Sequence, residues 1–240
     1  MLAMFAFASP QPHRAHSVLC RVLDGRELEE VSPADEALLT PEERAHYSEL
    51  HNEKQRALSI RTRAELRRML GRDLGLAPRD VPLVHDAYGK PRCPHARAVG
   101  MDFSVTHSDN CALVAVGEAA AIGVDVEAVV RDEPQDEMLD IIFDAHEKAK
   151  WRALPEAKRR MAFTQAWTIK EAALKAQGTG LYGSPHIITV TFDAQGNAQP
   201  VLKSSRWTFE RINLCECYAA SFLALMPDEE KDRPARRMVA

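Results

Sequence analysis

The sequence predicts an α+β protein built as two similarly organised halves, meeting between about residues 117 and 123. Two observations carry this reading. Each half holds one long stretch with helical spacing, at about residues 52–74 and 156–177, and each long stretch is flanked by several short strand-like runs. The expected division is 1–118 for the first lobe and 119–227 for the second, with a charged, proline-containing tail at 228–240 expected to be disordered.

After an irregular start to about residue 16, residues 17–23 read as a strand, and 33–39 and 41–50 as short helices. Thr40 precedes Pro41 and Glu43, the pattern of an N-cap with proline in the first turn and a capping-box glutamate. In 52–74, Ala57, Ile60, Ala64, Leu66, Met69 and Leu70 recur at helical spacing, while Arg56, Arg61, Arg63, Arg67 and Arg68 fill other positions. Residues 83–86 read as a strand, 87–91 as a turn, and 101–105 and 111–116 as strands around a loop at 106–110. In the strand at 121–127, period-two alternation buries Ile122, Val124 and Val126 and places Asp125 and Glu127 together on the other face. Helices follow at 137–142, 146–154 and 156–177, then a turn-rich 178–181 and strands at 187–192, 206–212 and 215–225.

The 240 residues carry a net charge of −4, which argues against nucleic acid as the main partner. No run approaches the roughly 20 apolar residues of a membrane span, and the apolar start lacks the basic segment of a secretion signal. A cytoplasmic protein is expected, with its five cysteines, Cys20, Cys93, Cys111, Cys215 and Cys217, as free buried thiols. Phosphate-loop, dinucleotide, zinc-protease and serine-hydrolase motifs are absent from the sequence.

The chemistry concentrates in two places. Asp125 and Glu127 offer oxygen ligands to a hard cation such as Mg²⁺, and Glu171 on the last long helix supplies a third carboxylate. Trp167, Glu171 and Lys175 are spaced by four and share one helix face. Each signal alone also has an ordinary reading. Glu171 before Lys175 makes a routine helix ion pair, and Asp125 and Glu127 fit a solvated strand face. His107 fits a loop, Lys90 a turn, and the arginines of 52–74 an exposed helix face, although a cluster of them with Ser59 suits a phosphate monoester.

Together, and in this order, Tyr88-Gly89-Lys90-Pro91, Phe103-Ser104-Val105-Thr106-His107-Ser108, Gly123-Val124-Asp125-Val126-Glu127 and Trp167-x-x-Lys170-Glu171-x-x-x-Lys175-x-x-Gly178-x-Gly180-Leu181 resemble the 4′-phosphopantetheinyl transferases, specifically the larger two-lobed surfactin-synthetase-activator type. The resemblance implies that family's fold of two pseudo-repeated α+β lobes, a monomer, with coenzyme A in the cleft between them. It implies transfer of the phosphopantetheine arm of coenzyme A to a serine of an apo acyl- or peptidyl-carrier protein of fatty-acid, polyketide or non-ribosomal peptide synthesis. The alternative kept beside it is a non-catalytic protein of the same fold that binds coenzyme A or the carrier.

Carried over by motif, Asp125, Glu127 and Glu171 hold Mg²⁺, with Mn²⁺ as a substitute. Lys175 and His107 contact the phosphates, Thr106 stands beside His107, and Lys90 with Pro91 lies by the adenine. Glu171 is the candidate to accept the serine proton. Where relatives place lysines for the 3′-phosphate, this chain reads Glu42-Glu43-Arg44-Ala45-His46, so that grip passes to Arg44, Arg56 or Arg63 with Ser59. Carrier docking is expected on exposed apolar residues around 141–151.

Overall fold

The computed structural model describes residues 4–7, 18–25, 30–179 and 183–226. The expected tail at 228–240, the irregular start to residue 16 apart from Met4–Phe7, and the motif residues Gly180 and Leu181 lie outside the described residues. In chain order the elements are β1 (Met4–Phe7), β2 (Val18–Asp24), α1 (Pro33–Glu36), α2 (Pro41–Ser48), α3 (Glu53–Leu74), β3 (Val84–His85), β4 (Pro91–Arg92), α4 (Pro94–Ala98), β5 (Met101–Ser108), β6 (Cys111–Glu118) and β7 (Ala121–Ala128). They continue with α5 (Asp136–Ile142), α6 (Ala145–Arg152), α7 (Glu156–Gln177), β8 (Val190–Phe192), β9 (Ala198–Pro200), β10 (Trp207–Arg211) and β11 (Tyr218–Leu225).

Two antiparallel sheets organise the molecule, one in the order β1-β2-β6-β5 and the other β10-β11-β7. They close on each other over one core. Cys20, Leu113 and Ala115 of the first sheet pack there against Ile122, Val124, Val126, Ala220 and Phe222 of the second. The opposite face of the first sheet receives α3, whose Leu58, Leu66, Met69 and Leu70 meet Phe103, Ala112, Val114 and Val116. The opposite face of the second receives α7. The arrangement is helix, sheet, sheet, helix, and every layer buries the apolar stripe that its sequence period dictates.

Local rules hold where the sequence announces them. Thr40 caps α2 in a full capping box with Glu43, worth about 1 kcal/mol. Gly178 ends α7 at φ 78°, the left-handed conformation that glycine adopts at no steric cost. Glu147 and Lys170 form an ion pair in which both side chains are 1% exposed. The carboxylate also accepts the Val190 amide and the ammonium donates to Ile188 O, so the pair ties α6, α7 and β8 with its polar atoms satisfied.

Several elements depart from the sequence expectation. The strand expected to stop at residue 105 runs on to Ser108, because its polar residues find partners on β7, so Thr106 and His107 sit on a strand rather than in a loop. Cys215 and Cys217 lie in the turn before β11, not on a strand face, and are bridged to each other with Cα atoms 5.3 Å apart; only Cys20, Cys93 and Cys111 are the free buried thiols expected. The indole of Trp151 is buried and donates to Arg159 O, which removes it from any docking surface, whereas Ile141 is 62% exposed.

One contact sets the spacing of α7 on β7. A Cβ added at Gly123 would overlap Ala172 O and crowd Ala176 N, both backbone atoms that cannot swing aside. Gly123→Ala is therefore expected to cost about 3 kcal/mol or more, measured by urea denaturation, or to prevent folding.

Candidate active site

Six elements, α2, α3, β4, β5, β7 and α7, converge on an open cleft of about 460 Å³. β7 supplies Asp125 and Glu127, β5 supplies Thr106 and His107, α7 supplies Trp167, Glu171 and Lys175, and α3 supplies Ser59, Thr62, Arg63 and Leu66. Pro91, Val105 and Tyr47 complete the wall. The spacing by four along α7 does what helical geometry requires, delivering Trp167, Glu171 and Lys175 to one side.

The second face of β7 is not solvated, because α7 covers it. Asp125 is only 2% exposed, and its Oδ1 accepts from Lys175 Nζ at 2.6 Å and Thr106 Oγ1 at 2.9 Å. Lys175 Nζ also donates to Thr106 Oγ1 at 3.0 Å, which makes a closed triangle. Ser108 Oγ donates to Glu127 Oε2 at 2.9 Å. Thus each strand carboxylate is oriented by a hydroxyl two residues from the next along β5.

Burial raises the proton affinity of all three carboxylates above the usual range. For Asp125 the attraction of Lys175 opposes burial, whereas for Glu127 and Glu171 the charge of Asp125 adds to it. One lysine does not neutralise three acids. Partial desolvation in the cleft, and then Lys175, lower the proton affinity of the His107 imidazole and so favour its neutral form, which offers one N–H and one lone pair.

The donor set suits a hard divalent cation. All three groups are carboxylates, and Asp125 Oδ2 is buried with no hydrogen-bond partner among the described residues. Among the described residues no three acidic, histidine or cysteine side chains converge closely enough to hold an ion unaided, so a cation here would need water or a bound phosphate to complete its coordination. A second group of polar side chains lines the cleft from α3. Among the described residues Arg63 Nη1 is buried without a hydrogen-bond partner, while its Nε donates to Tyr47 Oη at 3.3 Å and lies 3.5 Å from Glu43 Oε1, beside the hydroxyls of Ser59 and Thr62.

Of the residues expected from sequence, the cleft gathers Ser59, Arg63, Pro91, Thr106, His107, Asp125, Glu127, Glu171 and Lys175. It does not gather Arg44, whose Nη1 donates to Leu39 O at 2.6 Å and holds the turn between α1 and α2. Lys90 lines a neighbouring cavity of about 240 Å³ with Phe103 and Gly178, and its ammonium donates to Lys175 O at 2.6 Å and Ile122 O at 3.2 Å instead of facing the cleft. Sequence reasoning missed Tyr47, Thr62 and the orienting part of Ser108. The signal for Ser108 was present, as the strict alternation Asp102, Ser104, Thr106, Ser108 along one strand.

Residues 121–223, which carry Asp125, Glu127, Glu171 and Lys175, match the family model of the 4′-phosphopantetheinyl transferase superfamily. Over this segment the chain is similar to that superfamily. The chain is 32% identical over 146 residues to the 4′-phosphopantetheinyl transferase HetI of Nostoc sp., covering 60% of this chain and 62% of that protein. It is 30% identical over 151 residues to a candidate 4′-phosphopantetheinyl transferase of Synechocystis sp., covering 63% and 61%. It is 31% identical over 150 residues to the L-aminoadipate-semialdehyde dehydrogenase-phosphopantetheinyl transferase of Eremothecium gossypii, covering 59% and 52%. The chain thus spans about three fifths of the first two relatives and about half of the third. The superfamily match covers β7 to β11, and the cleft residues of α3 and β5 lie before it.

The raised proton affinity of Glu127 gives a pH signature. The folded state binds this proton more tightly than the unfolded chain, whose glutamates titrate at about 4.3. Above the folded value the charged carboxylate weakens the fold; below the unfolded value both states are protonated and the effect vanishes. Without divalent cations, Glu127→Gln is expected to raise Tm at pH 8, by a few degrees at most, and to match the parent protein near pH 4, read by differential scanning calorimetry.

Proposed function

We propose that the chain transfers the 4′-phosphopantetheine arm of coenzyme A to a serine hydroxyl of an apo acyl- or peptidyl-carrier protein, releasing adenosine 3′,5′-bisphosphate, and that it is of the larger surfactin-synthetase-activator type. The observation that carries this reading is the convergence of Asp125, Glu127 and Glu171 on one cleft with Lys175, in a wall that also holds Ser59 and Arg63. Such a cleft has groups for a diphosphate and separate groups for a phosphate monoester, as coenzyme A requires.

In this reading the serine oxygen attacks the phosphorus that bears the pantetheine arm. The bond from that phosphorus to the bridging oxygen breaks, and adenosine 3′,5′-bisphosphate leaves with the electron pair. Asp125, Glu127 and Glu171 would hold Mg²⁺, which would supply charge neutralisation on the diphosphate. Lys175 adds a positive charge beside the same oxygens, and neutral His107 donates one hydrogen bond to a phosphate. Glu171 receives the serine proton. Arg63 and Ser59 hold the 3′-phosphate in place of Arg44, and Pro91 and Val105 offer an apolar wall to the adenine. The exposed Met138 and Ile141 of α5 are the apolar residues offered to the carrier. The protein works as a cytoplasmic monomer.

The test is incubation with coenzyme A, Mg²⁺ and apo carrier proteins, followed by intact mass measurement of the carriers. A mass gain of one phosphopantetheine, lost when metal is omitted, is expected. Coenzyme A binding without any gain would instead favour the non-catalytic reading. Glu171→Gln is expected to lower kcat by about 10²-fold to 10⁴-fold in a folded protein, whereas Asp125→Ala is expected to raise the Mg²⁺ concentration needed for half-maximal rate.

A further inference from the structure

The last turn of α7 is gripped from the other lobe. Helix ends leave carbonyls without intrahelical partners, and Lys175 O here accepts from Gly178 N at 3.1 Å and from Lys90 Nζ at 2.6 Å. An ammonium has three N–H groups, and three acceptors surround this one: Lys175 O, Ile122 O at 3.2 Å and Asp102 Oδ2 at 3.5 Å. Its side chain is only 12% exposed. Asp102 Oδ2 also accepts the Ile122 amide at 2.8 Å, and Asp102 Oδ1 faces Arg92 Nη1 at 3.7 Å.

Arg92 makes the second half of the grip. Asp86 Oδ2 accepts from its Nε at 2.9 Å, and its guanidinium rests on Gly178 where any Cβ would overlap it. Two cations at the edge of the small β3–β4 hairpin thus stand at the negative end of the α7 dipole. The same last turn carries Lys175, whose side chain runs from the gripped backbone to Asp125 and Thr106.

We propose that Lys90 is a positioning residue: it clasps the carbonyl of Lys175 and that of Ile122 in one hand, and so fixes the Lys175 ammonium against Asp125. Lys90 then acts on the reaction through Lys175 rather than as a ligand of coenzyme A, the part its Gly-Lys-Pro setting implied. The kinetic consequence rests on the transferase reading; the clasp itself does not.

The experiment compares the full chain with Lys90→Met, which keeps the stem and removes the charge. Amide hydrogen exchange at residues 175–179 is expected to speed up by about ten-fold, because the turn loses its tether. In the transfer assay kcat is expected to fall about ten-fold while KM for coenzyme A stays within about two-fold, and the same change added to Lys175→Met is expected to cost less than about two-fold more. Unchanged exchange overturns the clasp. A large rise in KM, with a loss that adds in full to Lys175→Met, overturns the positioning part and makes Lys90 a substrate ligand. A parent protein that transfers nothing refutes the function alone, since exchange still decides the clasp. Should Lys90→Met fail to fold, Arg92→Lys removes the guanidinium from Gly178 and keeps its charge; faster exchange at the same amides supports the clasp and unchanged exchange overturns it.

Discussion

The structure depends on how closely α7 lies on β7. Helices ordinarily pack on sheets through two layers of side chains, but at Gly123 one layer is missing and the strand backbone meets the helix backbone at Ala172. With the helix this near, Lys175 Nζ comes within 2.6 Å of Asp125 Oδ1 and Glu171 joins the two strand carboxylates in the cleft. A side chain at 123 would lift the helix and separate the helix-borne groups from the strand-borne ones. A residue with no functional atom therefore governs the geometry of those that have them.

That proximity has an electrostatic cost, which the surroundings partly offset. Asp125 is buried beside two other acids, and burial alone favours its neutral form. Lys175 and Thr106 hold it in place, and Ser108 does the same for Glu127, yet the three acids remain short of positive charge. Such a cluster is poised to accept a cation. The sheets make this tolerable, because the apolar core between them does not depend on the protonation of the cleft.

Much of this was legible in the sequence wherever period and caps act locally. The limits of α3, α7 and β7, the capping box at Thr40 and the common face of Trp167, Glu171 and Lys175 follow from spacing. Other features were not legible because they depend on what another part of the chain brings near. Nothing local tells Lys90 that a helix end will lie 85 residues later in sequence at its ammonium, or tells Arg44 that the Leu39 carbonyl is closer than any ligand. Trp151 reads as a surface aromatic until Phe143 and Phe163 enclose the space around it. Cys215 and Cys217 alternate as strand residues do, yet the chain turns there before β11 begins.

The joint between the two sheets explains why the hydroxyls of β5 matter twice. β5 and β7 run side by side in the same direction without a backbone ladder between them. Instead the β7 amides of Ile122, Val124 and Ala128 donate to the side chains of Asp102, Ser104 and Ser108 on β5. Alternate side chains of one strand thus replace a neighbouring strand's carbonyls, which buried amides require. Where the row reaches the cleft, Thr106 and Ser108 turn the same chemistry onto the carboxylates of Asp125 and Glu127. The joint and the site are one row of polar residues with a period of two. An apolar substitution at Ser108 removes an acceptor from the Ala128 amide and a donor from Glu127 together, so stability and site geometry cannot be varied independently along this strand.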